Sequence, residues 1–267
     1  REGGCIVWGG NVRLSPADDI LIRIQRPLDF DSDGQLVASV LSKKIAAGST
    51  HVLIDMPVGP TAKVRGEAAA HSLGTRLAHT ADALGLQLGI HRSDGTQPVG
   101  RGIGPALEAH DVLKVLRNAA DAPADLRERA LALSAALLDM APGSSASTGL
   151  ERARSVLDSG AALAKFLAIC EAQGGFREPP RAAFTAEVPA TASGRIAEID
   201  NRRLAKLAKL AGAPTSRAAG LETELRVGDT VDRGQPLLTL HAESPGELAY
   251  ALEHAAALQP FVLGEVL

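Results

Sequence analysis

The chain has 267 residues, of which 45% are hydrophobic and 22% charged, with a formal net charge of −3. That length supports a substantial core and two domains, and the charge balance gives no electrostatic case for a nucleic-acid partner. Cys5 and Cys170 stand far apart without metal-ligand spacing, which argues against structural zinc and suits a reducing cytosol; no apolar run approaches the roughly 20 residues of a membrane span, and no signal-peptide pattern opens the chain.

Gly4 to Trp8 reads as a short buried strand closed by Gly9 and Gly10. Natural domains seldom open inside a core element, so the chain reads as the carboxyl-terminal part of a longer protein. Ser15 as N-cap, Pro16 at the first helical position and Asp18 and Asp19 in the first turn predict a helix start. That helix, Ile20 to Arg26, stops before Pro27. Gln35 to Ala47 resumes as a helix ending at Gly48. The apolar strand His51 to Met56 delivers Val58-Gly59-Pro60-Thr61 at its carboxyl end, where ligands of open α/β sheets sit. Thr61 to Leu84 follows as a helix and Leu86 to His91 as a strand. A Gly-rich loop, Gly95 to Gly104, leads into a helix from Ala106 to Asn118. Leu126 to Ala141 and Leu150 to Gln173 read as two Ala/Leu-rich helices. Alternating strands and helices predict an α/β layer with a mixed, mainly parallel sheet and flanking helices.

Composition shifts at the Gly/Pro/Arg linker Gly174 to Arg181. Beyond it, Phe184 to Val188, Gly194 to Ile199, Glu222 to Val227 and Leu237 to His241 read as strands, and Asn201 to Leu210 and Pro245 to Ala257 as helices. The division expected is residues 1–175 as an α/β domain, with 15–47 a helical excursion, and 182–267 as a small α+β domain. Val227 to His241 resembles the hairpin of biotinyl and lipoyl domains. The lysine such domains modify is missing, since no Lys follows Lys209.

Ser39 and Lys43 are four residues apart, so a helix places them on one face, offering a hydroxyl and an ammonium to one small polar ligand. Lys44 beside them reads as solvated. Arg23 and Arg26 could converge on the same spot or lie at the surface. The loop sequence Gly100-Arg-Gly-Ile-Gly104 fits neither G-x-G-x-x-G in register nor a P-loop. Close backbone approach to a neighbouring helix that opens at Pro105 explains it better, although Gly102 and Gly104 do place N–H groups near a helix start. Asp55 and Asp94, near strand ends, suit capping and turn roles. The seven histidines lack metal spacing, and neither G-x-S-x-G nor H-E-x-x-H occurs.

Several ordered motifs carry a family resemblance over nearly the whole chain. They are Gly3-Gly-Cys-Ile-Val-Trp, Leu14-Ser-Pro-Ala-Asp-Asp-Ile-Leu-Ile-Arg, Gln35-Leu-Val-Ala-Ser-Val-Leu-Ser-Lys-Lys, Asp55-Met-Pro-Val-Gly-Pro-Thr-Ala-Lys and Gln97-Pro-Val-Gly-Arg-Gly-Ile-Gly-Pro-Ala-Leu-Glu. The chain resembles the carboxyl-terminal part of a thymidine (pyrimidine nucleoside) phosphorylase, of the archaeal-like branch that includes AMP phosphorylases. The resemblance assigns the excursion 15–47 to a helical domain and accounts for the lipoyl-like hairpin. It implies that Ser39, Lys43 and an Arg hold the pyrimidine base; Arg23 is the first choice for that Arg and Arg26 the second. Lys43 and Arg23 are the implied catalytic residues. The implied reaction is phosphorolysis of thymidine to thymine and 2-deoxyribose 1-phosphate. It takes a nucleoside and inorganic phosphate, with no cofactor or metal, in a cytoplasmic homodimer that touches neither nucleic acid nor membrane.

The family's phosphate loop would precede residue 1, so this chain alone is expected to be a poor catalyst or an inactive one. The alternatives are phosphorolysis of a nucleoside monophosphate (AMP, CMP or UMP) and a non-catalytic remnant or assembly module.

Overall fold

The computed structural model describes residues 2–7, 16, 20, 21, 24, 33–141 and 148–264. In chain order its elements are α1 (Asp33–Ala46), β1 (His51–Val58), α2 (Glu67–Ala83), β2 (Gln87–Asp94), β3 (Gly102–Ile103), α3 (Pro105–Leu116), α4 (Ala124–Asp139), α5 (Gly149–Asp158), α6 (Ala161–Ala172), β4 (Phe184–Pro189), β5 (Gly194–Ile199), α7 (Asn201–Leu210), β6 (Gly220–Glu222), β7 (Thr230–Val231), β8 (Pro236–Ala242), α8 (Pro245–Leu258) and β9 (Phe261–Gly264). They fall into two compact units. Arg1–Met56, Gly66–Ser93 and Leu131–Phe176 make the first; Pro57–Arg65, Asp94–Ala130 and Arg177–Leu267 make the second. None of the described helices is long and apolar enough to cross a membrane.

In the first unit α1 buries Val37 and Leu41, one turn apart, and ends where Gly48 takes φ 73°, a left-handed conformation that glycine adopts without steric cost. It packs against α2, whose buried stripe Ala70, Leu73, Leu77 and Ala81 follows helical spacing. This helix starts at Glu67 rather than at Thr61, after Gly66 at φ 90°. The N–H of Gln87 reaches the C=O of Thr50 and that of Gly95 the C=O of Val58, both at 2.9 Å. This constant offset is that of a parallel β1–β2 pair joined by a crossover helix.

The span Leu150 to Gln173 holds two helices, because Gly160 at φ 78° breaks it between α5 and α6. The strand expected from Gly4 is corrected as far as Val7: residues 4–7 are not in a strand, and all four are exposed. The Gln173 side chain brackets Ile6 instead, accepting from its N–H at 2.8 Å and donating to its C=O at 2.7 Å. Trp8 lies outside the described residues, as does most of the helix expected over Ile20 to Arg26; of that helix, Ile20, Leu21 and Ile24 are described and helical.

The second unit corrects the expectation of a mainly parallel sheet. A four-stranded sheet in the order β3-β6-β8-β4 and a three-stranded sheet in the order β7-β5-β9 are antiparallel at every pairing. The strand–helix–strand unit that builds parallel pairs is realised at β1 and β2. After residue 184 the crossovers are too short or run to the other sheet. The lipoyl-like hairpin does not form as a pair either, since β7 and β8 belong to different sheets. Bonds from Gly234 N–H to Ala190 C=O (2.9 Å) and from Ala190 N–H to Gln235 C=O (2.8 Å) tie the intervening turn to the end of β4 instead.

The core of this unit is built from Ile196, Ile199, Leu204, Leu207, Leu221, Val231, Leu238 and Leu240, with Ala251 and Phe261. Alternation along β8 puts Leu238, Leu240 and Ala242 inside. Two helices are capped by side chains. Asp200 accepts from the N–H groups of Arg202 and Arg203 at 2.9 and 3.0 Å, and Ser244 from that of Glu247 at 3.2 Å. The strand expected over Glu222 to Val227 stops at Glu222. There the Thr223 hydroxyl takes over, donating to Leu237 C=O at 2.8 Å and accepting from Leu225 N–H at 3.2 Å.

Candidate functional site

The helix α1 brings Ser39 and Lys43 together as their spacing predicts. Lys43 Nζ donates to Ser39 Oγ at 3.2 Å, and both side chains are half-buried. Val37 and Leu41, buried on the same helix, anchor it and so fix where the pair points. Ser42 donates a long bond, 3.4 Å, to the Ser39 carbonyl, and Lys44 is exposed. Arg23 and Arg26 lie outside the described residues. An ammonium coupled to a hydroxyl on one face offers charge and donors to an electron-rich carbonyl or a developing anion.

The strand ends are held by their own side chains. Ser93 donates to the Asp55 carboxylate across β1 and β2, and Asp94 accepts from Thr96 N–H at 2.8 Å in an Asx turn. Gly59 and Gly95 meet backbone to backbone: a Cβ on Gly59 would lie 2.4 Å from the Gly95 carbonyl. Asn201 seals this contact, donating from Nδ2 to Gly95 C=O at 3.0 Å and from its N–H to Thr61 Oγ1 at 3.2 Å.

The Gly-rich loop is closed by carboxylates of its own unit. Asp111, buried on α3, accepts from the N–H groups of Arg101 and Gly102 at 2.7 and 2.8 Å through one oxygen. Asp125 accepts from Gly100 N–H at 3.2 Å and pairs with Arg226 at 2.9 Å, while Arg226 also donates to Gly100 C=O at 2.9 Å. At the start of α3, Glu108 takes the Gly104 N–H at 3.2 Å. The glycines are there for space. A Cβ on Gly102 would lie 2.6 Å from the Leu107 backbone, and one on Gly104, at φ 143°, 2.3 Å from Ala219 C=O. These donors do not face an incoming anion.

No linear pattern singles out Asp111, Asp125 or Arg226, whose partners in the loop lie 10, 25 and 126 residues away along the chain. Among the described residues, no group of three or more His, Cys, Asp or Glu side chains could hold a metal ion. Cys5 and Cys170 are both free thiols.

Comparison with known proteins agrees with the motifs. Residues 195–261 match the family described as pyrimidine nucleoside phosphorylase C-terminal domain. A "Putative thymidine phosphorylase 2" of Acidovorax sp. (strain JS42) is 64% identical over 97% of this chain and 51% of its own length. A "Putative thymidine phosphorylase" of Polaromonas sp. (strain JS666 / ATCC BAA-500) is 62% identical over 96% and 50%, and one of Hahella chejuensis (strain KCTC 2396) 59% identical over 95% and 50%. The chain spans about half the length of the curated relatives it matches.

Proposed function

We propose, from the premise that this chain matches the carboxyl-terminal part of the thymidine phosphorylase family, that it carries base-holding elements of a pentosyltransferase. The reaction is phosphorolysis of thymidine to thymine and 2-deoxyribose 1-phosphate, with inorganic phosphate as co-substrate and a homodimer as the working assembly. Phosphate oxygen attacks C1′ as the C1′–N1 bond breaks. The bonding pair leaves with the base, whose ring nitrogen and carbonyl oxygens take up negative charge. Donors aimed at those atoms bind the departing base more tightly than the neutral nucleoside, so they lower the barrier rather than merely the Michaelis constant.

In this reading Lys43 supplies the charge, Ser39 the hydroxyl and Arg23 a second cation. The observation that supports it is the 3.2 Å bond from Lys43 Nζ to Ser39 Oγ on an anchored, half-buried helix face.

The test is phosphate-dependent release of thymine from thymidine by the intact protein that contains this chain. Lys43→Ala is expected to lower kcat by about 10²–10³, the size of a lost transition-state donor, and Ser39→Ala to lower it less. Turnover that is phosphate-dependent in the parent and unchanged in Lys43→Ala contradicts the assignment.

A further inference from the structure

A cavity of about 280 Å³ opens in the second unit, walled by α3, β4, β6, β8 and the segment that carries Arg181. His110 and Lys114 line it from α3 and Arg117 from the cap at the end of that helix, at the spacing that puts three residues on one face. Opposite them stand Glu222 of β6 and His241 of β8. The strand register explains this placement. His241 pairs with Gly220 and with Thr185, so Glu222 is its diagonal neighbour on the same sheet face. Leu221 and Leu240, one residue out of phase, point into the core.

Three permanent cations and one carboxylate thus line the same cavity, and that carboxylate is already engaged, since His241 Nε2 lies 3.0 Å from Glu222 Oε2. The Glu222 carboxyl is held below its ordinary range by hydrogen bonding to His241, against a burial that raises it, with the charges of His241, Lys114 and His110 adding to the lowering. Lys114 reaches Asp121 at 2.8 Å and Arg117 reaches Glu178 at 2.6 Å, yet these acids are 64% and 62% exposed. Pairs this exposed are weakened by water and salt, so a better-placed anion can displace them. Arg181 has no ion-pair partner among the described residues.

The volume lies just below the range of ligand pockets, about 300–1,000 Å³, which suits a small metabolite. Arginine forks and an ammonium match a dianionic phosphoryl group, and beside the apolar Leu107, Leu113 and Ala182 the lining offers Thr185 and Glu222 to bond hydroxyls.

We propose that this cavity binds a small phosphate monoester, its phosphoryl group held by Lys114, Arg117 and Arg181 and its hydroxyl-bearing body by Glu222 and Thr185. The inference stands on the cavity alone and does not depend on the role given to Lys43.

The test is calorimetric titration of the intact protein at low salt with ribose 5-phosphate, inorganic phosphate and ribose. Ribose 5-phosphate is expected to bind, inorganic phosphate more weakly, and ribose not at all. Arg117→Gln/Arg181→Gln should weaken ribose 5-phosphate at least about tenfold, or about 1.4 kcal/mol, while Lys43→Ala leaves it unchanged. Asp121→Asn/Glu178→Gln, which removes the competing carboxylates, should tighten it several-fold; a merely structural role for these pairs predicts no such gain. Unchanged ribose 5-phosphate affinity in the folded double-arginine variant, or an arginine-dependent component of binding as tight for inorganic phosphate as for the ester, would overturn the proposal. Retention of thymine release by the double-arginine variant keeps this outcome separate from the test of Lys43.

Discussion

Two places in the second unit gather cations or backbone donors, and they differ in what answers them. In the Gly-rich loop the donors meet Asp111, which is 3% exposed, and Asp125, which is bridged to Arg226. At the cavity, Lys114 and Arg117 meet carboxylates that are mostly in water. A donor answered by a buried carboxylate is structural, because removing that partner leaves a desolvated polar group costing about 1–3 kcal/mol. A cation answered by an exposed carboxylate gives up little on changing partner. The lesson is that a glycine-rich helix start is an anion site only if the chain has not already provided the anion.

This contrast can be broken experimentally. The largest effect is expected at the loop: Gly104→Ala drives a Cβ to 2.3 Å from Ala219 C=O at φ 143° and should destabilise by about 3 kcal/mol or more in urea unfolding. Asp111→Ala leaves the N–H groups of Arg101 and Gly102 without their acceptor and should cost about 2–4 kcal/mol. Arg226→Ala removes the brace on Asp125 and Gly100 and should cost about 1–2 kcal/mol. At the cavity, Glu178→Gln should change stability by no more than about 0.5 kcal/mol. If Glu178→Gln matched Asp111→Ala, the distinction between the two places would collapse.

The smallest effect is a pH dependence. The folded Glu222 carboxyl lies below its ordinary value of 4.5, so the folded state binds fewer protons there than the unfolded chain does. Its contribution is complete above about pH 4.5 and is lost as pH falls through the lowered folded value. The groups that face it are His241, Lys114 and His110. Glu222→Gln should therefore flatten the acid limb of a stability–pH curve without altering it above neutrality; an identical acid limb contradicts the pairing.

Much of this was legible in the sequence where the signal is local. The Ser39–Lys43 pair follows from helical spacing alone, α1 ends before Gly48 as expected, and α7 and α8 match the expected ranges to within a residue. The structural reading of the Gly-rich loop also followed, since its glycines break both phosphate-binding patterns. What stayed hidden was set by distant partners. Leu240 reads as a strand residue and Leu221 falls just before an expected strand, but nothing local says that β6 and β8 pair antiparallel or that β7 joins another sheet. Apolar Ile6 and Val7 look like a strand until Gln173, far along the chain, is seen to bracket Ile6. The cavity needed both a helix face and a strand register, so His110, Lys114, Arg117 and His241 were scattered charges in the sequence.

The most direct measurement of the contrast is a two-dimensional amide NMR titration of the isotope-labelled intact protein with ribose 5-phosphate. The account predicts that resonances of Arg117, Arg181, Thr185 and His241 move with one binding curve while those of Gly100, Arg101 and Gly102 stay in place. Saturable movement of the three loop amides, with the cavity residues unmoved, would show that the loop is the anion site and contradict the account.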